Sequence, residues 1–144
     1  CVGLEPCVIP ALGHSNFKIE DGTMEFGVGH HGEAGTKVEK LKSASEMAQE
    51  MAETILNDFD FEEGKEVAVM LSGLGATPVM ELYVLYDEVE KVLAKAGHKV
   101  WKTYIGNYVT SLDMNGASLT IVDLDDEIKE LLSEPAVPIG MKNY

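Results

Sequence analysis

Positive charge is scarce in this sequence. Its 144 residues carry 11 Lys and Arg against 25 Asp and Glu, a formal net charge of -14. Nucleic acids and anionic membrane surfaces both require a basic face, so this balance argues against either as a partner. It leaves phosphate chemistry open to a partner that carries its own metal ion. Cysteine is scarcer still, with only Cys1 and Cys7. That is too few for a disulfide framework, and Cys7 in an apolar run predicts a buried thiol. A reduced, cytoplasmic setting is the expectation. No apolar run reaches the length of a membrane span, and no basic-then-apolar signal pattern stands at the start. Internal repeats and low-complexity stretches are missing as well. The length suits one domain with a sizeable core and is short for two.

The hydrophobic pattern predicts strands first, then helices and strands in alternation. Val2 to Pro10 reads as a strand. Phe17 and Ile19 alternate with Lys18 and Glu20 as a second, before an Asp21-Gly22 turn. Met24, Phe26 and Val28 form a third that runs into a glycine-rich loop. Ser43 and Glu46 make a capping box. The helix behind it carries Met47, Met51, Ile55 and Phe59 on one stripe, and Gly64 breaks it. Val67 to Leu71 is a buried strand. Thr77 is expected as N-cap, with Pro78 at the first helical position, of a helix over Val79 to Ala96. That helix turns Leu82, Leu85, Val89 and Leu93 inward, and Gly97 stops it. Strands follow at Lys99 to Ile105 and Ala117 to Leu124, then a short helix over Asp125 to Ser133 with acidic first-turn residues. The proline-rich tail is expected to be loosely held. This order implies an α/β fold with helices packed on a mixed β-sheet.

The reactive chemistry concentrates in one place. Two of the four histidines, His30 and His31, are adjacent within Phe26-Gly27-Val28-Gly29-His30-His31-Gly32-Glu33-Ala34-Gly35. Glycine admits backbone conformations closed to other residues and lets a ligand come close. Imidazole can be neutral, nucleophilic and basic near neutral pH. Gly27, Gly29 and Gly32 match a dinucleotide fingerprint literally, but that reading needs a helix to open at once, and the next credible helix starts about ten residues too late. Metal binding by His30, His31 and Glu33 is disfavoured because neighbours on an extended segment point to opposite sides. A solvated surface turn is the plain alternative to a nucleophile or base. The second glycine loop, Gly73-Leu74-Gly75-Ala76-Thr77, could offer amides to an anion, but it has no lysine, and a tight connection explains it. Asp113 reads as a turn residue and the methionines as core.

The segment Met24-Glu25-Phe26-Gly27-Val28-Gly29-His30-His31-Gly32-Glu33 resembles the second half of DhaK, the dihydroxyacetone-binding subunit of dihydroxyacetone kinases. The resemblance continues through Leu74-Gly75-Ala76-Thr77-Pro78, Glu81-Leu82-Tyr83, Gly106-Asn107-Tyr108 and Thr110-Ser111-Leu112-Asp113-Met114. Several motifs in the same order, over nearly the whole chain, are far more specific than one glycine pattern. Two positions depart from the family: His30 replaces an aliphatic residue, and Ala34 replaces a proline, which should loosen the loop.

The resemblance implies that residues 1–144 are the C-terminal domain of a DhaK-like subunit. It makes His31 the residue that binds the ketone carbon covalently as a hemiaminal, within a substrate loop of Gly29, His30, Gly32 and Glu33. Short ketoses and aldoses would be held, and glycerol, which has no carbonyl, would not. The implied activity is phosphorylation of dihydroxyacetone, with a ligand-binding regulator lacking kinase activity as the alternative. No cofactor is expected on this domain. ATP or ADP with Mg belongs on a DhaL-like nucleotide-binding subunit or a fused domain, and a phosphotransferase-system relay stays open as the donor. A homodimer is expected. The family's second histidine and its acid–base aspartate belong to an N-terminal half with no counterpart in these residues. The sequence also opens on cysteine within a strand-like run, so a fragment of a longer protein is expected.

Overall fold

The computed structural model describes residues 1–15, 17–29, 33–62 and 64–141. Their elements run β1 (Val2–Glu5), β2 (Thr23–Phe26), β3 (Lys37–Lys40), α1 (Ala44–Asp58), β4 (Glu66–Gly73), α2 (Val79–Lys95), β5 (Lys99–Gly106), β6 (Asn115–Asp123) and α3 (Asp126–Ser133). Six strands form one sheet in the order β3-β2-β1-β6-β4-β5. Only β4 and β5 are parallel, joined by α2 as parallel neighbours require. The remaining pairs are antiparallel. The expected mixed sheet with packed helices is therefore the fold.

One face of the sheet holds the core. Val69 and Leu71 of β4 pair with Ile121 and Leu119 of β6, with Val67 and Ala117 further along the same two strands. They meet Ala48, Met51 and Ala52 of α1 and Leu82, Leu85, Val89 and Leu93 of α2. The α2 stripe is buried as its spacing predicts. The α1 capping box is complete, with Glu46 N–H donating to the Ser43 side chain and Ser43 N–H donating to Glu46. Asp125 caps α3 by accepting the Ile128 N–H at 2.7 Å.

Several expectations are corrected. Phe17 to Glu20 is not a strand; Ile19 instead packs over Gly3, beside Val28 and Met114. The first strand stops at Glu5, and Val8 N–H bonds the Asp113 carboxylate at 2.7 Å instead of a strand partner. Cys7 is half-buried rather than buried. The α1 stripe ends at Ile55, because Phe59 is extended at the C-cap, 54% exposed and edge-on to Phe61. The helix thus ends ahead of Gly64. Thr77 does not cap α2: Pro78 stands at the cap without a side-chain bond. Its hydroxyl donates to Gly116 O at 2.6 Å and accepts Gly116 N–H at 2.8 Å. β3, which the pattern did not predict, pairs with β2 from Thr23–Lys40 to Phe26–Lys37.

Candidate functional site

The histidine loop connects β2 to β3, so it is the turn of an antiparallel hairpin and opens no helix. That geometry removes the dinucleotide reading, which needs a helix N-terminus behind its glycines. His30, His31 and Gly32 lie outside the described residues; the chain on both sides of them is defined.

The hairpin base is tight. Thr36 N–H donates to Phe26 O at 2.7 Å, and the Thr36 hydroxyl donates to the same oxygen at 3.2 Å. Gly27 adopts φ +79°, and a Cβ there would press on Thr36. This is a backbone conformation that glycine takes without a steric penalty. Gly27 N–H donates to Cys1 O at 2.7 Å, which ties the loop to the start of β1. One step nearer the tip, Gly35 N–H donates to the Glu25 carboxylate at 2.6 Å. At the neck, Gly29 N–H donates to Glu33 O at 3.1 Å, and a Cβ on Gly29 would collide with the Glu33 side chain. These glycines serve close approach of the loop to itself, a use the sequence pattern did not disclose.

Beside the neck lies a cleft of about 360 Å³ lined by Cys7, Phe17, Lys18, Glu25, Val28, Glu33 and Ala34. Of the expected loop residues, Glu33 reaches this cleft, while Gly29 closes the neck next to it. Glu25 and Cys7 line it too, outside the loop residues that the resemblance implies. Glu25 is legible in hindsight, as the one charged side chain in the β2 run Thr23–Phe26.

An ion-pair network steadies the return strand. Lys37 on β3 and Lys42 both bond Glu50 of α1, the second at 2.5 Å, and Lys42 also pairs with Glu39 at 2.7 Å. Burial pushes the Glu50 carboxyl up, but hydrogen bonds from Lys37 and Lys42 outweigh it and hold it below the usual carboxylate range. Lys37 also lies 5.2 Å from the Phe26 ring centre.

The second glycine loop does not offer a phosphate cradle. Leu74 N–H is spent on Gly116 O and Ala76 N–H on Met114 O. Gly75, at φ +116°, packs against Leu112 O. Ser72 accepts the Tyr108 and Val109 N–H groups at 2.9 and 3.0 Å, fastening the 107–114 segment to β4. Among the described residues no three His, Cys, Asp or Glu side chains gather as a metal-holding group. No described helix is long and apolar enough to cross a membrane.

An α/β domain that carries a glycine-pinned hairpin loop at one side of a mixed sheet is the class these features define. Residues 1–139 match the Dak1 domain, and the chain belongs to that family. It is 43% identical over 126 residues to the dihydroxyacetone-binding subunit DhaK of PTS-dependent dihydroxyacetone kinase 1 from Listeria innocua, covering 88% of this chain and 38% of that subunit. Among solved structures it resembles the dihydroxyacetone kinase operon co-activator Dha-DhaQ, with a TM-score of 0.85 and 31% identity over 93% of this chain and 42% of that one. The native dihydroxyacetone kinase of C. freundii matches with a TM-score of 0.80 and 28% identity, over 92% of this chain and 24% of that one. The chain thus spans less than half the length of each of these relatives.

Proposed function

We propose that this chain is the ketose-holding, C-terminal domain of a dihydroxyacetone kinase, with His31 as the residue that captures the substrate. The observation that carries this reading is the coincidence of family and local geometry. The Gly29-His30-His31-Gly32-Glu33 segment of a Dak1 domain lies in the connection between β2 and β3, whose neck is closed from Gly29 to Glu33. A neutral imidazole nitrogen adds its lone pair to the ketone carbon, and the carbonyl π pair moves to oxygen. The proton released from the other ring nitrogen neutralises that oxygen, giving a hemiaminal with no atom lost. Such a bond orients a ligand too small to be held firmly by contacts alone.

His31 is the catalytic position in this reading, and Gly29, His30, Gly32 and Glu33 form the substrate loop. An N-terminal domain contributes the acid–base groups. Phosphoryl transfer to the substrate hydroxyl uses ATP and Mg held by a DhaL-like subunit or fused domain, or a phosphotransferase-system relay protein. The assembly is read as a cytoplasmic homodimer. The resemblance to a co-activator structure supports a second reading, a dihydroxyacetone-binding regulator without kinase activity.

The test is mass spectrometry and crystallography of the intact protein with dihydroxyacetone. We expect the mass of one whole ketose attached at His31. Attachment at His30 would reject the residue assignment. Phosphoryl transfer by the intact protein with a nucleotide-bearing partner separates kinase from regulator.

A further inference from the structure

The hairpin is closed by a side chain as well as by its backbone. Glu25 lies between Met24 and Phe26, which are both buried, so its side chain leaves β2 on the opposite face. From there Oε1 accepts the Gly35 N–H at 2.6 Å, across ten residues. A Cβ on Gly35 would stand 2.6 Å from Glu25 Cγ and 2.5 Å from Phe26 O, so only glycine lets the two limbs approach this closely. A carboxylate bonded to an amide is about twice as strong as a neutral pair. The neck bond from Gly29 to Glu33 then brackets positions 30–32 on the other side. Glu25 and Glu33 line the same cleft.

We propose that Glu25 is a positioning residue for ketose capture, holding Gly35 so that the two limbs flanking residues 30–32 keep a fixed spacing. This rests on the reading of His31 as the ketose-binding residue. Addition to a carbonyl needs the nitrogen within bonding reach and along one direction, and a misplacement of about 1 Å can cost about a hundredfold. Glu25 exchanges no proton in that step. Its part is to set the frame.

The experiment titrates the intact protein with dihydroxyacetone, reads the adduct fraction by intact mass and follows Gly35 amide exchange. Glu25→Ala should weaken capture about tenfold and speed Gly35 exchange. Glu25→Gln keeps an oxygen that accepts from Gly35, and should stay within about threefold of wild type with Gly35 still protected. Gly35→Ala breaks the same clamp from the other limb and serves if Glu25→Ala does not fold. The two together should lose little more than the worse single change. Wild-type capture in Glu25→Ala or, where that variant does not fold, in Gly35→Ala would overturn the proposal. So would a loss in Glu25→Gln as deep as in Glu25→Ala. A wild-type protein that forms no adduct would remove the His31 reading itself, and this proposal with it.

Discussion

Two glycine-rich loops, 27–36 and 73–78, are alike in composition and opposite in use. In the first, glycines let two hairpin limbs close on each other through Thr36, Glu25 and Glu33. In the second, the loop amides of Leu74 and Ala76 are consumed by backbone oxygens at the start of β6, and Thr77 seals the junction. The first loop leaves a cleft beside its neck, whereas the second is a fastening. A glycine run therefore marks close approach, and only the identity of the approaching group tells a ligand from the chain itself.

The contrast can be broken from either side. The largest effect should come from His31→Ala in the intact protein. Covalent capture of dihydroxyacetone disappears by mass, while stability by chemical denaturation stays within about 0.5 kcal/mol. A large drop in stability would make that histidine structural. Gly75→Ala should do the reverse. Its Cβ would meet Leu112 O at 2.6 Å with φ at +116°, and a loss of about 3 kcal/mol is expected from strain and overlap. Capture by the molecules that remain folded should persist.

Thr77→Val tests the fastening more gently. It keeps the shape but removes the acceptor that the Gly116 N–H uses and one of the donors to the Gly116 C=O, which keeps the Leu74 N–H. Urea denaturation should show a loss of about 2 kcal/mol. The smallest effect belongs to Glu50. Its folded-state pKa lies below the ordinary 4.5, so its pairing with Lys37 and Lys42 contributes stability that is fully present above that value. The contribution fades as pH falls through the depressed pKa. The stability difference between wild type and Glu50→Gln should therefore shrink on acidification below about pH 4.5, and with added salt. A difference that is flat with pH would deny the network a part in holding β3.

Most of the fold was legible because its signals are local. The Ser43–Glu46 box, the apolar run in β4 and the α2 stripe all follow from spacing alone. β3 was not legible. Three of its four residues are charged, Val38 is 65% exposed, and pairing with β2 and ion pairs to α1 hold it. Phe17 and Ile19 alternate like a strand, yet Ile19 packs over Gly3, where a Cβ would collide with the neighbouring Met114. Thr77 satisfies every local rule for an N-cap, but β6, 39 residues onward, takes its hydroxyl. The site divides the same way. The histidine loop announces itself by composition, whereas Glu25 looks like any outward residue of a half-buried strand until Gly35 is seen to return to it.

The sheet has a seam with consequences for how the molecule assembles. β1 joins β6 through only three register pairs, Val2–Ala117, Gly3–Gly116 and Glu5–Asn115, interrupted by a bulge. The pairs that β4 makes with β5 and β6, such as Val67 with Val100 and with Asp123, are all closer in sequence than those of the seam. The seam must close a loop of over a hundred residues, an entropic cost met late in folding. On loop length alone, the three strands β3-β2-β1, which bear the histidine hairpin, are expected to dock late in folding, an order that hydrogen exchange would read.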